Sequence, residues 1–133
     1  MILDCGATIG ASVVWFNARY PEAHIVAVEP APDNFAVLYR NCANLDVDLR
    51  LAGVAATDGF AYLSGHDECY MGYRTNTEHL GQQIAVVSVA TLIASKSPEQ
   101  YTPFLVKIDI EGAEKGLFQG GLRRFRQISL DHP

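Results

Sequence analysis

The chain is short of positive charge. Its 133 residues carry ten Lys and Arg against fifteen Asp and Glu, a net charge of −5. A nucleic-acid partner calls for a basic surface and is disfavoured. The one basic cluster, Lys115 with Arg123, Arg124 and Arg126, reads as a solvated helix face. Cysteine is scarce as well. Cys5, Cys42 and Cys69 are an odd number at unrelated spacings with no Cys-x-x-Cys pair, which argues against a disulfide framework or a zinc site and fits a reducing compartment. No apolar run has the length of a membrane span, and no charged n-region precedes an apolar segment. Internal repeats and low-complexity tracts are absent too. These absences, with a length that suits one domain, lead us to expect a soluble, cytoplasmic protein with no membrane partner.

What is present begins at the first residue. Met1-Ile-Leu-Asp-Cys-Gly-Ala-Thr-Ile-Gly-Ala-Ser12 reads as a short apolar strand closed by Asp4, then a turn bearing Gly6 and Gly10, then the start of a helix. Such a turn brings backbone N–H groups close to a ligand with no side chain in the way. Its spacing is not the Gly-x-Gly-x-x-Gly dinucleotide fingerprint. A helix is expected over residues 11–20, with Val13, Val14, Trp15 and Phe16 as its apolar surface and Pro21 as its stop.

His24-Ile-Val-Ala-Val-Glu29 is a near-continuous apolar run, the pattern of a strand covered on both faces. Pro32 and Asp33 mark a helix start, and the helix should run to about Leu45. Residues 47–56 read as a third strand and 60–63 as a short one after the Thr57-Asp58-Gly59 turn. Residues 65–83 show no period, and a loop that long in a small domain is usually functional or poorly ordered. A strand over 84–89 follows, with Thr91 as cap of the next helix. Phe104-Leu-Val-Lys-Ile-Asp-Ile110 is a further buried strand, leading to a helix over 113–119 and a last strand over 127–131.

Alternating strands and helices predict an α/β fold: a mostly parallel sheet with helices on both faces. Ligands of such sheets sit beyond the carboxyl ends of the strands. That edge gathers Asp4, Glu29, Ala56, Asp109 and Asp131. Glu29 ends the second strand, where a carboxylate can accept hydrogen bonds from both hydroxyls of a ribose. The plainer reading of Glu29 is an exposed strand-end acid. In Lys107-Ile-Asp-Ile-Glu-Gly-Ala-Glu114, alternation sends Lys107 and Asp109 to one side, with Glu111 if the extended geometry persists. The three could position a hydroxyl, tune its acidity or act as general base. Equally, they could form an ion network that holds the strand end. No further ligand cluster accompanies these acids, so no metal is expected.

Taken together, Asp4-Cys-Gly-Ala-Thr-Ile-Gly10, Val28-Glu29-Pro30 with Asn34-Phe35, and above all Lys107-Ile-Asp-Ile-Glu-Gly-Ala-Glu114 resemble the FkbM-type family of S-adenosylmethionine-dependent methyltransferases. The likeness covers nearly the whole chain. It implies a Rossmann-like methyltransferase fold, S-adenosylmethionine as cofactor, and methyl transfer to a hydroxyl of a small molecule, often a sugar or natural product. The resemblance implies cofactor contacts from Asp4, Gly6, Ala7, Thr8 and Gly10 at the methionine part, Glu29 and Pro30 at the ribose, and Ala55 and Ala56 to Asp58 at the adenine. Asp109 would face the sulfonium and acceptor, with Lys107, Asp109 and Glu111 as the catalytic group. His132 would end the fifth strand near the acceptor, although a frayed terminal histidine is the favoured reading.

Three features depart from the family. Thr8 stands where the family usually has Asn. The first strand begins at Met1, whereas family members carry further residues ahead of it, often a helix. The chain stops at Ser129-Leu-Asp-His-Pro133, where the family continues into two more strands. A partial methyltransferase domain over residues 1–133 is therefore expected, with an exposed sheet edge that a homo-oligomer would cover. Two rivals stand beside this reading: a non-catalytic S-adenosylmethionine-binding remnant that needs a partner chain, and a nicotinamide-dependent oxidoreductase, which the glycine spacing disfavours.

Overall fold

The structure, a computed structural model, describes residues 1–64, 74–76, 81–95, 101–110 and 117. In chain order the elements are β1 (Ile2–Cys5), α1 (Ala11–Arg19), β2 (Ile25–Glu29), α2 (Pro32–Asn41), β3 (Val47–Leu51), β4 (Gly53–Ala55), β5 (Gly59–Ser64), β6 (Arg74–Asn76), β7 (Gln82–Ser88), α3 (Val89–Ala94) and β8 (Leu105–Ile108). Every residue of β1 and β2 is buried. Burial on both faces is what their unbroken apolar runs require. They form the centre of a parallel sheet ordered β3-β2-β1-β8, with Ile2 opposite Ile25 and Leu105.

Strand alternation divides the core in two. Ile2, Ile25 and Ala27 face α1 and α2, meeting Val13, Phe16, Leu38 and Cys42. Leu3, Cys5, Val26 and Val28 face the other way, onto Val89 and Leu92 of α3 and onto Leu117. Helices thus cover both faces of a mostly parallel sheet, as the sequence predicts. Among the described residues no helix is long and apolar enough to cross a membrane.

Several boundaries differ from expectation. On α1 only Val13 and Phe16 are buried, whereas Val14 and Trp15 are exposed. A nine-residue helix on a sheet needs one stripe, and i, i+3 spacing supplies it. Pro32 starts α2 after the extended Ala31, with Asp33 in the first turn, but the helix ends at Asn41, short of Leu45. The Leu45 N–H instead donates to Cys42 O at 2.9 Å, a tight turn that swings Leu45 back onto the sheet beside Val47.

The single strand expected over 47–56 is two strands in two sheets. At Ala52 the N–H donates to both Glu29 O and Arg50 O at 3.1 Å, and the chain bends there. Beyond the bend β4 leaves β2 and pairs with β7, starting a second sheet ordered β4-β7-β5-β6, in which β5 is antiparallel to both neighbours. Within the stretch expected to lack structure, β6 pairs with β5 and β7 begins at Gln82. The cap of α3 is Ser88, whose Oγ accepts from Thr91 N–H at 3.1 Å. Thr91 is therefore the capped residue and not the cap. The helix expected over 113–119 lies outside the described residues except for Leu117, which is helical and buried. The strand expected over 127–131 lies wholly outside them.

Leu38 is fully buried where α2 meets the sheet. Leu38→Ala should lower unfolding free energy by about 2–5 kcal/mol, read from urea denaturation monitored by circular dichroism. A loss near zero would show that α2 is not seated as described.

Candidate functional site

The turn from Gly6 to Gly10 joins β1 to α1, and four of its amides are engaged inside the protein. The N–H groups of Gly6 and Ala7 both donate to Val28 O, at 2.9 and 3.0 Å, and Gly10 N–H donates to Ala7 O at 2.8 Å. Thr8 N–H donates to Glu29 Oε2 at 2.9 Å. The expectation that the turn offers its amides to a ligand is corrected for these four: three hold the turn against the end of β2, and the fourth closes the turn on itself.

Gly6 has φ +85°, and a Cβ there would lie 1.9 Å from Asp109 O. Its glycine is required because the ends of β1 and β8 close together, with Asp109 N–H donating to Cys5 O at 2.9 Å. At Gly10, φ +91°, a Cβ would lie 2.7 Å from Leu38 Cδ1. Thr8 has φ +52° and is the one non-glycine with positive φ among the described residues. A β-branched side chain in that region is strained, and strain of this kind is kept where surrounding contacts over-determine it.

Glu29 is the pivot. Its side chain is buried, so the reading of a merely exposed strand-end acid does not hold. Oε2 takes the Thr8 N–H, and Oε1 takes the Ala31 N–H at 3.0 Å and Asn34 Nδ2 at 3.4 Å. Burial raises its pKa above the ordinary 4.5; hydrogen bonds from Ala31, Thr8 and Asn34 and the charge of Lys107 act the other way without overcoming it. A carboxylate has about four acceptor positions, and three are used. That leaves one acceptor position for a further donor, and a second would compete with the long Asn34 contact.

Asp4 is fully buried, with Ser12 Oγ donating to its Oδ2. Lys107 Nζ donates to Asp4 Oδ1 at 2.9 Å and to Gly6 O at 3.0 Å. It also lies 3.7 Å from Asp109 Oδ2. The Asp109 side chain is 71% exposed and is the open carboxylate of the group. Two of the three N–H bonds of Lys107 point inward, a donor's arrangement and not a base's. Cys5, beneath them, is pushed up to about 12, first by burial and then by the charge of Asp4, and remains a thiol.

Asp4, Gly6, Ala7, Thr8, Gly10, Glu29, Pro30, Lys107 and Asp109 therefore meet at the neighbouring carboxyl ends of β1, β2 and β8. Ala55 ends β4 in the second sheet, and Ala56 starts the turn after it. Asp58, expected beside an adenine, receives Ser88 N–H at 2.6 Å and Thr91 Oγ1 at 2.7 Å. Those bonds draw its pKa below the ordinary 3.8 and commit its carboxylate to the start of α3. Glu111, Asp131 and His132 lie outside the described residues. Sequence reasoning missed the bonds from Ser12 to Asp4 and from Asn34 to Glu29. The signal was an acid ending each strand and a small polar residue in the first turn of the helix that follows. Among the described residues no group of three His, Cys, Asp or Glu could hold a metal ion.

Two substitutions separate strain from ligand contact. Gly6→Ala should prevent folding or lower the melting temperature sharply, since backbone must move. Thr8→Asn, better suited to positive φ, should stabilise by about 0.5–1 kcal/mol in thermal melts. A destabilising Thr8→Asn would contradict the described turn.

A family profile described as the methyltransferase FkbM domain matches residues 4–131. The protein "Methyltransferase 1" of Beauveria bassiana (strain ARSEF 2860) is 26% identical over 142 aligned positions, covering 90% of this chain and 57% of that protein. "Methyltransferase sdnD" of Sordaria araneosa is 46% identical over 55 residues, 41% of this chain and 20% of that protein. The chain spans about half the length of the first relative and a fifth of the second. No solved structure matches.

Proposed function

The chain belongs to the methyltransferase FkbM domain family, and from that premise we propose that it transfers a methyl group from S-adenosylmethionine to a hydroxyl oxygen of a small molecule, a sugar or natural product. One observation carries the reading beyond the family: the sign of the site. Four amides of the turn are engaged within the protein, while the Glu29 and Asp109 carboxylates stand at the strand ends. Carboxylates suit a sulfonium cation and repel a dinucleotide pyrophosphate, which speaks against a nicotinamide cofactor.

Bound here, S-adenosylmethionine supplies a methyl carbon on a positively charged sulfur. Glu29 would accept a ribose hydroxyl, and the region from Ala55 to Asp58 would lie along the adenine. Lys107 fixes Asp4 and the Gly6 carbonyl, so β8 and the turn move as one body. Asp109, open to solvent, would accept the proton of the acceptor hydroxyl, with Glu111 as a second candidate. Alignment of acceptor and donor supplies much of the barrier reduction in such a transfer. A reducing, cytoplasmic setting belongs to the same reading and agrees with buried free thiols at Cys5 and Cys42.

Titration calorimetry with S-adenosylhomocysteine, S-adenosylmethionine and NAD tests this. The first two should bind and NAD should not; no binding by S-adenosylhomocysteine would overturn the reading. Because burial raises Glu29, its proton returns at a higher pH than an ordinary glutamate's, and affinity should fall on acidification already above pH 4.5. Asp109→Asn should leave affinity for S-adenosylhomocysteine, whose sulfur is neutral, unchanged and cut turnover about 10²- to 10⁴-fold on any accepted hydroxyl compound. Binding with no turnover on any acceptor would favour a cofactor-binding module instead.

A further inference from the structure

β3 is the outermost strand of its sheet. β2 pairs along one side of it, and no strand among the described residues pairs along the other. Alternation gives β3 two unlike faces. Val47 and Leu49 lie toward α2, where Phe35, Tyr39, Cys42 and Leu45 join them around an open groove of about 300 Å³. Two large apolar side chains stay exposed there, Tyr39 at 62% and Leu51 at 51%. On the opposite face Arg50 donates to both oxygens of Asp48, at 2.8 and 2.9 Å, and the two side chains are 44% and 20% exposed.

We propose that β3 is a self-association edge, pairing antiparallel with β3 of a second copy about a two-fold axis through Leu49. The charges select this occupant. With Leu49 opposite its own copy, Asp48 of each chain stands opposite Arg50 of the other, and both lie on the same face of the joined sheet. Parallel pairing in register would set Asp48 against Asp48 and Arg50 against Arg50, which is repulsive. An acid and a base two residues apart are thus self-complementary under one symmetry and not the other. Edge charges usually keep strands from indiscriminate pairing. Here they admit one partner in one register.

The groove argues for the same geometry. A two-fold axis perpendicular to the sheet lays the apolar groove of one copy against that of the other, between the two α2 helices. Val47 then faces Leu51 of the second copy, and the exposed Tyr39 rings close over the seam. The interface is isologous, as a two-fold requires. This edge lies at the opposite end of the sheet from β8. It therefore carries no implication for how the sheet continues beyond β8, and it stands independently of the methyl-transfer reading.

Sedimentation velocity across a wide concentration range, with circular dichroism to confirm folding, tests the proposal. Wild type should sediment as a reversible dimer. Arg50→Asp, which sets carboxylate against carboxylate at both ends of the strand pair, should raise the dimer dissociation constant at least about tenfold. The double variant Asp48→Arg with Arg50→Asp restores opposite charges across the axis and should restore the dimer. Leu49→Cys should give a chain-to-chain disulfide on mild oxidation in the dimer. A monomeric wild type at every concentration would overturn the proposal, with or without a small apolar molecule in the groove. So would an Arg50→Asp dimer as tight as wild type, or a double variant no better than the single one.

Discussion

The Glu29 carboxylate holds the two halves of this site together. It receives an amide from the β1–α1 turn and another from the residue that opens α2, so one buried side chain ties two strand–helix corners into a unit. Losing it would leave two buried N–H groups without an acceptor, a heavier penalty than losing one surface contact. The price is acidity: burial favours the protonated form, and the donors around the carboxylate oppose that only in part. A group held in this balance can answer to a ligand hydroxyl, because one more donor favours the charged form.

The neighbouring corner is built on the opposite sign. Lys107 reaches from β8 to Asp4 at the end of β1 and to the carbonyl of Gly6, joining the strand that carries Asp109 to the strand that carries the turn. Asp4, fully buried, needs that cation and the Ser12 hydroxyl, since an isolated buried carboxylate is costly. Of the two readings of this stretch, the ion network is visible in the structure: Lys107 pairs with Asp4 at 2.9 Å and with Asp109 at 3.7 Å. Asp109 is its exposed member.

Much of this was legible in the residues. Continuous apolar runs at Ile2 and Ile25 predicted strands buried on both faces, because only helices on each side can satisfy them. Gly6 and Gly10 predicted a tight turn, and both adopt positive φ in it. The acids near the ends of the first two strands predicted that Asp4 and Glu29 lie along one carboxyl edge, as they do. Less legible were the breaks that depend on distant partners. Ala52 bends the third strand because its amide finds Glu29 O as well as Arg50 O, and nothing in Leu51-Ala52-Gly53 announces that. Ser88 caps α3 with help from Asp58, thirty residues earlier in the chain, so local reading favoured Thr91.

The sequence alone determined the alternation of strand and helix, the sign of the charge and the identity of the groups at the strand ends. Each of these is set by the residues' own chemistry and spacing. Only the tertiary structure decided which of those groups are spent on one another. Hydrogen-bond capacity is finite, and whether the amides of the first turn, Glu29 and Lys107 serve the fold or face outward depends on which chain ends the sheet brings within 3 Å. The same holds for β3, where Asp48 and Arg50 acquire a common face and an open edge only once β2 has taken the other side of the strand.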